Sequence, residues 1–201
     1  MLLEVFECSK ECVDVIDEVI YSAMEHYHIR YVNACLGLGI CRGLVAVLNG
    51  NVCGVGVYYV VESYPHKVGI HYYVAVKAEF RGMGVGKALI SSMEELMSSD
   101  HVSIYLATAK SGNEVIKSIL SRLGYIEVPL NSLGRLSDVV KKLTCGYDDD
   151  LLFMRFYNNL NKLPTSALDF LTAHPNSDLI NKLWRKLCYD VWRNTQNIDV
   201  T

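Results

Sequence analysis

The chain has 201 residues, of which 51% are hydrophobic and 20% are charged, and its formal net charge is −3. This composition is enough for a sizeable core and excludes global disorder, and the small negative charge gives no electrostatic basis for binding nucleic acid. No apolar run approaches the length of a membrane span, and Glu4 and Glu7 stand where a signal peptide carries basic residues. We therefore expect a soluble cytoplasmic protein that binds neither nucleic acid nor membranes.

Four strands are expected in the first half of the chain, each a short apolar run: Leu2–Cys8, Leu44–Leu48, Val52–Val61 and Val68–Val76. The middle pair flanks Asn49-Gly50, which is the strongest short signal for a hairpin turn. Between the first two runs, Glu11–Met24 has apolar residues at helical spacing, with Ser9 as a candidate N-cap. The less regular segment Tyr27–Gly39 fits a second helix and a loop.

Helices and strands alternate in the next part of the chain. Helical periodicity covers three segments: Val85–Ser98, Asn113–Leu123 and Ser132–Lys142. Further strands are expected at three apolar runs: His101–Ala107, Tyr125–Pro129 and Leu151–Tyr157. Three consecutive strands linked by hairpins precede the first crossover helix, which indicates an α+β or mixed α/β sheet rather than a doubly wound fold.

After a break at Asn158-Asn159 the chain is again typical of helices, and we divide it into a domain at 1–158 and a C-terminal helical extension at 159–201. Asp178–Arg193 carries an apolar stripe that includes two tryptophans, with Ser177 as its candidate N-cap. The stripe fits packing on its own domain or a homodimer interface, for which tryptophans are typical anchors. A third possibility is that it shapes a substrate pocket.

Seven cysteines are scattered along the chain without a Cys-x-x-Cys pair, and we expect buried reduced thiols. The spacing of Cys8 and Cys12 with His26 or His28 differs from that of compact zinc sites, so no metal is expected. Disulfide bonds are an alternative to reduced thiols, because intracellular disulfides occur in proteins of hyperthermophiles. The acidic run Asp148–Asp150 is typical of a solvated turn.

A glycine-rich segment, Arg81-Gly82-Met83-Gly84-Val85-Gly86-Lys87, lies between the strand Val68–Val76 and the helix that follows. Glycines let successive N–H groups face one concavity, and a helix N-terminus adds a positive dipole end, so the segment predicts a site for a phosphorylated cofactor. A nucleoside-triphosphate loop would need Ser or Thr after Gly86-Lys87, where Ala88 stands. A dinucleotide loop would need a βαβ unit, which hairpin-linked strands do not supply.

The spacing Arg81-x-x-Gly84-x-Gly86 resembles the Arg/Gln-x-x-Gly-x-Gly/Ala signature of the GNAT superfamily of acetyl-CoA-dependent N-acetyltransferases. Asn113 at the start of the next helix and Gly124-Tyr125 at its end also match that family, as does the order of elements. The resemblance is strongest over Val68–Tyr125 and does not cover the C-terminal extension. It implies a GNAT-like twisted mixed sheet of about seven strands flanked by helices.

The resemblance implies acetyl-CoA as the co-substrate. Backbone N–H groups of the glycine segment would bind its diphosphate, Arg81 and Lys87 would offset the phosphate charge, and Asn113 would contact the phosphopantetheine. The pantetheine arm would pair with the strand backbone near Val74 and Val76. The implied cofactor-binding residues are Val74, Val76, Arg81, Gly82, Met83, Gly84, Val85, Gly86, Lys87 and Asn113.

The chemistry that the resemblance implies is direct attack of a primary amine on acetyl-CoA in a ternary complex. It needs a neutral amine, a stabilised oxyanion and a proton for the leaving thiolate. A backbone N–H near Val74 is the expected oxyanion donor, and His71 and Tyr72 are the candidate catalytic side chains, with Glu62 as a third. The acceptor can be a small amine or an amine of a peptide or protein.

Leu120 occupies the position at which many family members carry a general-acid Tyr. Solvent can protonate the thiolate instead, because a thiol with a pKa of about 8.5 is a tolerable leaving group at neutral pH. The same residue keeps a second hypothesis open, in which the chain binds CoA without turnover and serves as a sensor or an assembly module.

Overall fold

The computed structural model describes residues 2–8, 10–157 and 165–196. Within them the strands, in chain order, are Leu3–Cys8 (β1), Arg42–Leu48 (β2), Asn51–Ser63 (β3), His66–Val76 (β4), Ile104–Ala109 (β5), Ile126–Pro129 (β6) and Leu151–Phe156 (β7). The α-helices are Val13–Ala23 (α1), Tyr27–Gly37 (α2), Val85–Ser99 (α3), Glu114–Arg122 (α4), Arg135–Thr144 (α5), Asn176–Trp184 (α6) and Asp190–Gln196 (α7). The predicted cap Ser9 and the predicted break at Asn158-Asn159 lie outside the described residues.

The strands form one sheet of seven strands in the order β1-β2-β3-β4-β5-β7-β6. Antiparallel pairs join β1 to β2, β2 to β3, β5 to β7 and β6 to β7. β4 and β5 are parallel, with Val68–Ile70 pairing to Ile104–Leu106, and α3 supplies the crossover that a parallel pair requires. This mixed sheet with its helices confirms the predicted fold class.

The chain divides into two compact units, the first comprising Met1–Val60 and His71–Asp100 and the second Val61–Ile70 and His101–Thr201. The core of the first unit is built from apolar side chains of its helices and strands, among them Ile16, Ile20, Leu44, Val57, Leu89 and Met93. The core of the second unit lies around β5 and β7 and includes Leu106, Leu120, Val140, Leu143, Leu152 and Phe153. None of the helices in the described ranges is both long and apolar enough to cross a membrane.

The turn between β2 and β3 in the first unit confirms the predicted hairpin. Asn49 and Gly50 have φ angles of 48° and 82°, which is the left-handed pair that a two-residue turn matching the strand twist requires. The side chain of Asn49 also accepts a hydrogen bond from the Leu2 N–H at 3.0 Å. The local sequence therefore determines this connection.

The C-terminal helices of the second unit differ from the single helix predicted at Asp178–Arg193. α6 ends at Trp184, a π-helical turn covers Arg185–Tyr189, and α7 follows directly. A π-helical turn adds one residue to an α-helix. An apolar stripe with a period of 3.6 residues does not show such an added residue, so the turn could not be predicted from the pattern. The preceding helix is also shifted, because α5 runs over Arg135–Thr144 rather than the predicted Ser132–Lys142.

The predicted N-cap Ser177 is wrong, because α6 already begins at Asn176 after Pro175. Asn176 is buried, and its side-chain amide donates to the carbonyl oxygens of Tyr64 at 2.6 Å and Phe170 at 2.9 Å. These two bonds hold the start of the helix in place of a side-chain cap.

Six of the seven cysteines are paired, so the expectation of reduced thiols is wrong for them. The disulfides join Cys8 to Cys12, Cys35 to Cys41 and Cys145 to Cys188, with Cα–Cα distances of 5.8, 5.2 and 5.5 Å. Cys53 remains a buried thiol and donates to the carbonyl oxygen of Ala46 at 3.2 Å. The pairing could not be derived from the sequence because spacing alone does not determine connectivity.

Candidate active site

The glycine segment connects β4 to α3, as predicted, and two of its glycines have left-handed backbones. Gly82 has a φ of 78° and Gly84 a φ of 83°, a conformation that side chains with a Cβ rarely adopt. Gly84 is also the N-cap of α3. Among the described residues no heavy atom lies within 4 Å of where a Cβ would stand at either glycine, so the space in front of the backbone is open.

The first turn of α3 presents backbone donors at this open space. The first hydrogen bond of the helix runs from the Ala88 N–H to the Gly84 carbonyl oxygen at 3.0 Å. The N–H groups of Val85, Gly86 and Lys87 precede it, where a helix offers no internal acceptor. Because α3 is 15 residues long, its dipole adds partial positive charge at the same place, which suits a phosphate group.

Glycines of β3 allow α3 to approach the sheet closely behind this segment. A Cβ at Gly54 would lie 2.9 Å from Val85 Cγ1 and 3.0 Å from the Ala75 carbonyl oxygen, and one at Gly56 would lie 3.1 Å from the Met93 sulfur. Gly54 and Gly56 were not among the predicted site residues, although glycines that alternate along a strand signal a close backbone approach.

Arg81 links the start of the glycine segment to the end of β4 by a hydrogen bond. Its Nε donates to the Val76 carbonyl oxygen at 3.2 Å, while the side chain stays exposed. The next basic residue, Lys87, is exposed in the first turn of α3. The two cations predicted to offset phosphate charge are therefore on the surface.

The two predicted catalytic residues are buried in β4. His71 and Tyr72 are 7% and 8% exposed. Burial raises the pKa of the Tyr72 hydroxyl well above its usual value, and neighbouring Tyr73, Tyr59 and Tyr31 add to this effect. Tyr72 therefore keeps its proton at neutral pH and can donate a hydrogen bond but cannot serve as a base.

A hydrogen-bonded pair that the sequence analysis missed lies beside them. The Tyr73 hydroxyl is 3.1 Å from Nδ1 of His28 on α2, and the two rings meet edge to face with centroids 5.4 Å apart. Tyr72 packs edge to face against both Tyr73 and Tyr59, at 4.7 and 5.7 Å. No local signal could have found the pair, because it depends on how α2 packs against β4.

The remaining predicted residues lie in the second unit. The Asn113 side chain accepts a hydrogen bond from the Ile116 N–H at 3.3 Å and so caps α4, and its contact with CoA stays a prediction. Leu120 is fully buried. Glu62 is exposed and pairs with Lys67 at 2.8 Å, a hydrogen bond and charge that lower the pKa of its carboxyl and make it a poor base.

The acidic run Asp148–Asp150 is not simply a solvated turn. Asp149 accepts a hydrogen bond from the Thr108 hydroxyl at 2.6 Å, and Asp150 accepts one from the Ser111 hydroxyl at the same distance. The segment just before β7 is therefore hydrogen-bonded to β5 through Asp149 and to the loop after β5 through Asp150.

Comparison with known proteins agrees with the fold and indicates the family. Residues 11–125, more than half of the chain, match the model of the Acetyltransferase (GNAT) family. A GNAT acetyltransferase from Staphylococcus aureus Mu50 is 14% identical, with a TM-score of 0.60 over 77% of this chain and 99% of that one. The PaiA N-acetyltransferase of Thermoplasma acidophilum, in complex with coenzyme A, is 13% identical, with a TM-score of 0.57 over 78% and 100%.

A third similar structure is the NatC complex bound to Gag peptide and CoA, which is 16% identical with a TM-score of 0.54 over 77% of this chain and 96% of that one. At these identities the likenesses show the fold, whereas the family match rests on the sequence itself. The chain thus belongs to the acetyltransferase (GNAT) family.

Proposed function

We propose that this chain is an N-acetyltransferase that transfers the acetyl group of acetyl-CoA to a primary amine by direct attack in a ternary complex. The observation that carries the proposal is the open glycine segment, in which Gly82 and Gly84 have left-handed backbones at the N-terminus of a long helix. The family match and the CoA bound in two of the similar structures support the same ligand.

Within the first unit, the residues proposed to hold the substrate CoA belong to the glycine segment and to β4. Backbone N–H groups from Gly82 to Gly86 would bind the diphosphate, and Arg81 and Lys87 would offset its charge. The pantetheine arm would pair with the backbone of β4 at Val74 and Val76, whose side chains are only partly exposed.

The reaction needs little from a general acid at the sulfur. The Val74 N–H would donate to the oxygen of the attacked carbonyl as it gains negative charge. Leu120 leaves the thiolate to take its proton from solvent, which is feasible for a leaving group whose pKa is about 8.5. The remaining requirement is a group that accepts the proton of the attacking amine.

The acceptor is proposed only as a class, a primary amine on a small molecule or a peptide. The NatC complex is bound to a peptide and CoA, and a ribosomal-protein-alanine N-acetyltransferase of Brucella melitensis is a further similar structure, with a TM-score of 0.52. Both support a peptide amine as the first acceptor to test.

A second candidate function is a CoA-binding sensor or assembly module without turnover. The observation that favours it is Leu120, which is fully buried at the position where a general-acid Tyr would be expected. This candidate shares the glycine segment with the first and differs from it only in chemistry.

Thiol release separates the two candidates. The protein is incubated with acetyl-CoA and an alanine-starting peptide, a lysine peptide or spermidine, and free CoA thiol is measured against a reaction without amine. The protein adds little background, because Cys53 is buried and the other cysteines are paired. Amine-dependent release supports the enzyme, calorimetric CoA binding without release on any amine supports the sensor, and absence of CoA binding overturns both.

A further inference from the structure

The hydrogen-bonded pair of Tyr73 and His28 differs in solvent exposure from the buried aromatic residues next to it on β4. Its hydroxyl–imidazole distance is 3.1 Å, and both side chains are partly exposed, unlike the buried Tyr72 and His71. The pair is therefore not sealed from solvent, whereas Tyr72 and His71 are. Tyr73 also directly precedes Val74, whose N–H is the proposed oxyanion donor.

We propose that Tyr73 and His28 transfer the proton of the acceptor amine, with Tyr73 as the catalytic residue that touches the amine and His28 as a positioning residue that acts through it. The inference rests on the proposed function and adds to it the proton acceptor that the sequence did not reveal. A tyrosine alone is a weak base at neutral pH, but one hydrogen-bonded to a neutral imidazole can pass its own proton on as it takes another.

The surroundings hold the pair in one arrangement. The Tyr27 ring packs on His28 with centroids 4.1 Å apart, and Tyr72 meets the Tyr73 ring edge to face at 4.7 Å. Two side chains held by packing lose less conformational entropy when the substrate binds, which is what a proton-transfer pair requires.

The step balances with no further reagent. The amine nitrogen forms a bond to the acetyl carbonyl carbon, and the carbonyl π electrons move to oxygen, where the Val74 N–H stabilises the charge. The nitrogen loses one proton to the Tyr73 oxygen while the hydroxyl proton passes to Nδ1 of His28. Collapse breaks the C–S bond with its electron pair on sulfur, the thiolate takes a proton from water, and the imidazolium returns one to solvent.

The chain offers a matched control pair. Tyr21 and His26 stack with ring centroids 3.9 Å apart, and both are exposed in the first unit. They have the same residue types as the proposed pair but belong to no part of the proposed site. Substitutions at these positions therefore control for the loss of a Tyr–His contact as such.

The test measures kcat and KM for Tyr73→Phe, His28→Asn, the double variant and the controls Tyr21→Phe and His26→Asn, using the amine that the wild type acetylates fastest. We expect each single variant to lower kcat about 100-fold, the size typical of a positioned proton carrier, with KM for acetyl-CoA unchanged. The double variant should be about as slow as the slower single variant, because the two residues act as one unit. Both controls should keep the wild-type rate.

Calorimetric CoA affinity confirms that each variant is folded, and His28→Gln replaces His28→Asn if the latter does not bind CoA. A loss of less than about tenfold in kcat, a double variant whose loss is the product of the two single losses, or an equal loss in the controls overturns the pair. Wild-type protein that binds CoA but acetylates no amine overturns the proposed function and the pair with it. An active wild type with unaffected variants overturns the pair alone.

Discussion

The glycine segment of the first unit and the C-terminal helices of the second are held in place by different means. The segment depends on backbone conformation, with Gly82 and Gly84 left-handed and Gly54 letting α3 approach the sheet. The C-terminal helices depend on side chains, through the Cys145–Cys188 disulfide and the hydrogen bonds of Asn176.

This contrast separates binding from stability. A site made of backbone N–H groups must be kept open and unobstructed, so any side chain added there acts on the ligand. Helices joined by side-chain links can lose a link and still keep the rest of the molecule. Substitutions in the first region should therefore change CoA affinity, and those in the second should change the free energy of unfolding.

The largest expected effect is at Gly84. Gly84→Asp adds a carboxylate where the diphosphate would lie and strains a backbone with a φ of 83°, so CoA affinity should fall by about 1,000-fold or more. Gly50→Asp is the matched control, because Gly50 has a φ of 82° and equally open surroundings in the β2–β3 turn. Calorimetry should show wild-type affinity for the control, and an unchanged affinity in Gly84→Asp would refute the site.

The disulfide between α5 and the π-helical turn should give the next largest effect. Cys145→Ala or Cys188→Ala opens a crosslink that spans 43 residues, and the free energy of unfolding should fall by about 2–4 kcal/mol. Because either change opens the same crosslink, the double variant should lose little more than one single variant. Urea unfolding measures the loss, and CoA affinity lowered in step with stability would contradict the separation of the two regions.

A smaller loss is expected at Asn176. Asn176→Ala removes two hydrogen bonds from a buried side chain and leaves the carbonyl oxygens of Tyr64 and Phe170 without them, at a cost of about 1–3 kcal/mol. Asn181→Ala, at an exposed position of the same helix, is the control and should stay within about 0.5 kcal/mol of wild type. Equal losses in both variants would show that the contacts of Asn176 do not hold the helix.

The smallest expected effect is on the pH dependence of the free energy of unfolding. Burial raises the pKa of the Asp149 carboxyl above its usual value, although the Thr108 hydroxyl opposes this shift. A raised pKa in the folded state means that ionisation costs stability, so the cost is full above the folded pKa and disappears as the pH falls below the unfolded value. Asp149→Asn should therefore raise the free energy of unfolding at pH 7 by less than about 1 kcal/mol and change nothing near pH 3. A gain that persists at low pH would contradict this cause.

Features set by neighbours in the sequence could be predicted. The Asn49-Gly50 turn, the position of the glycine segment between β4 and α3 and the order of strands and helices along the chain are local patterns, and the structure has each of them. Features that depend on contacts between residues far apart in the sequence could not be predicted. The His28–Tyr73 pair links residues 45 positions apart, and the π-helical turn at Arg185–Tyr189 leaves the hydrophobic stripe unaltered.

The most direct test of the central claim follows the backbone amides of the glycine segment by NMR during titration with CoA. If this segment binds the diphosphate, the largest chemical-shift changes fall on Gly82, Gly84, Val85 and Gly86, and Gly50 in its similar turn does not respond. Saturable CoA binding that leaves these loop amides unshifted would contradict the account.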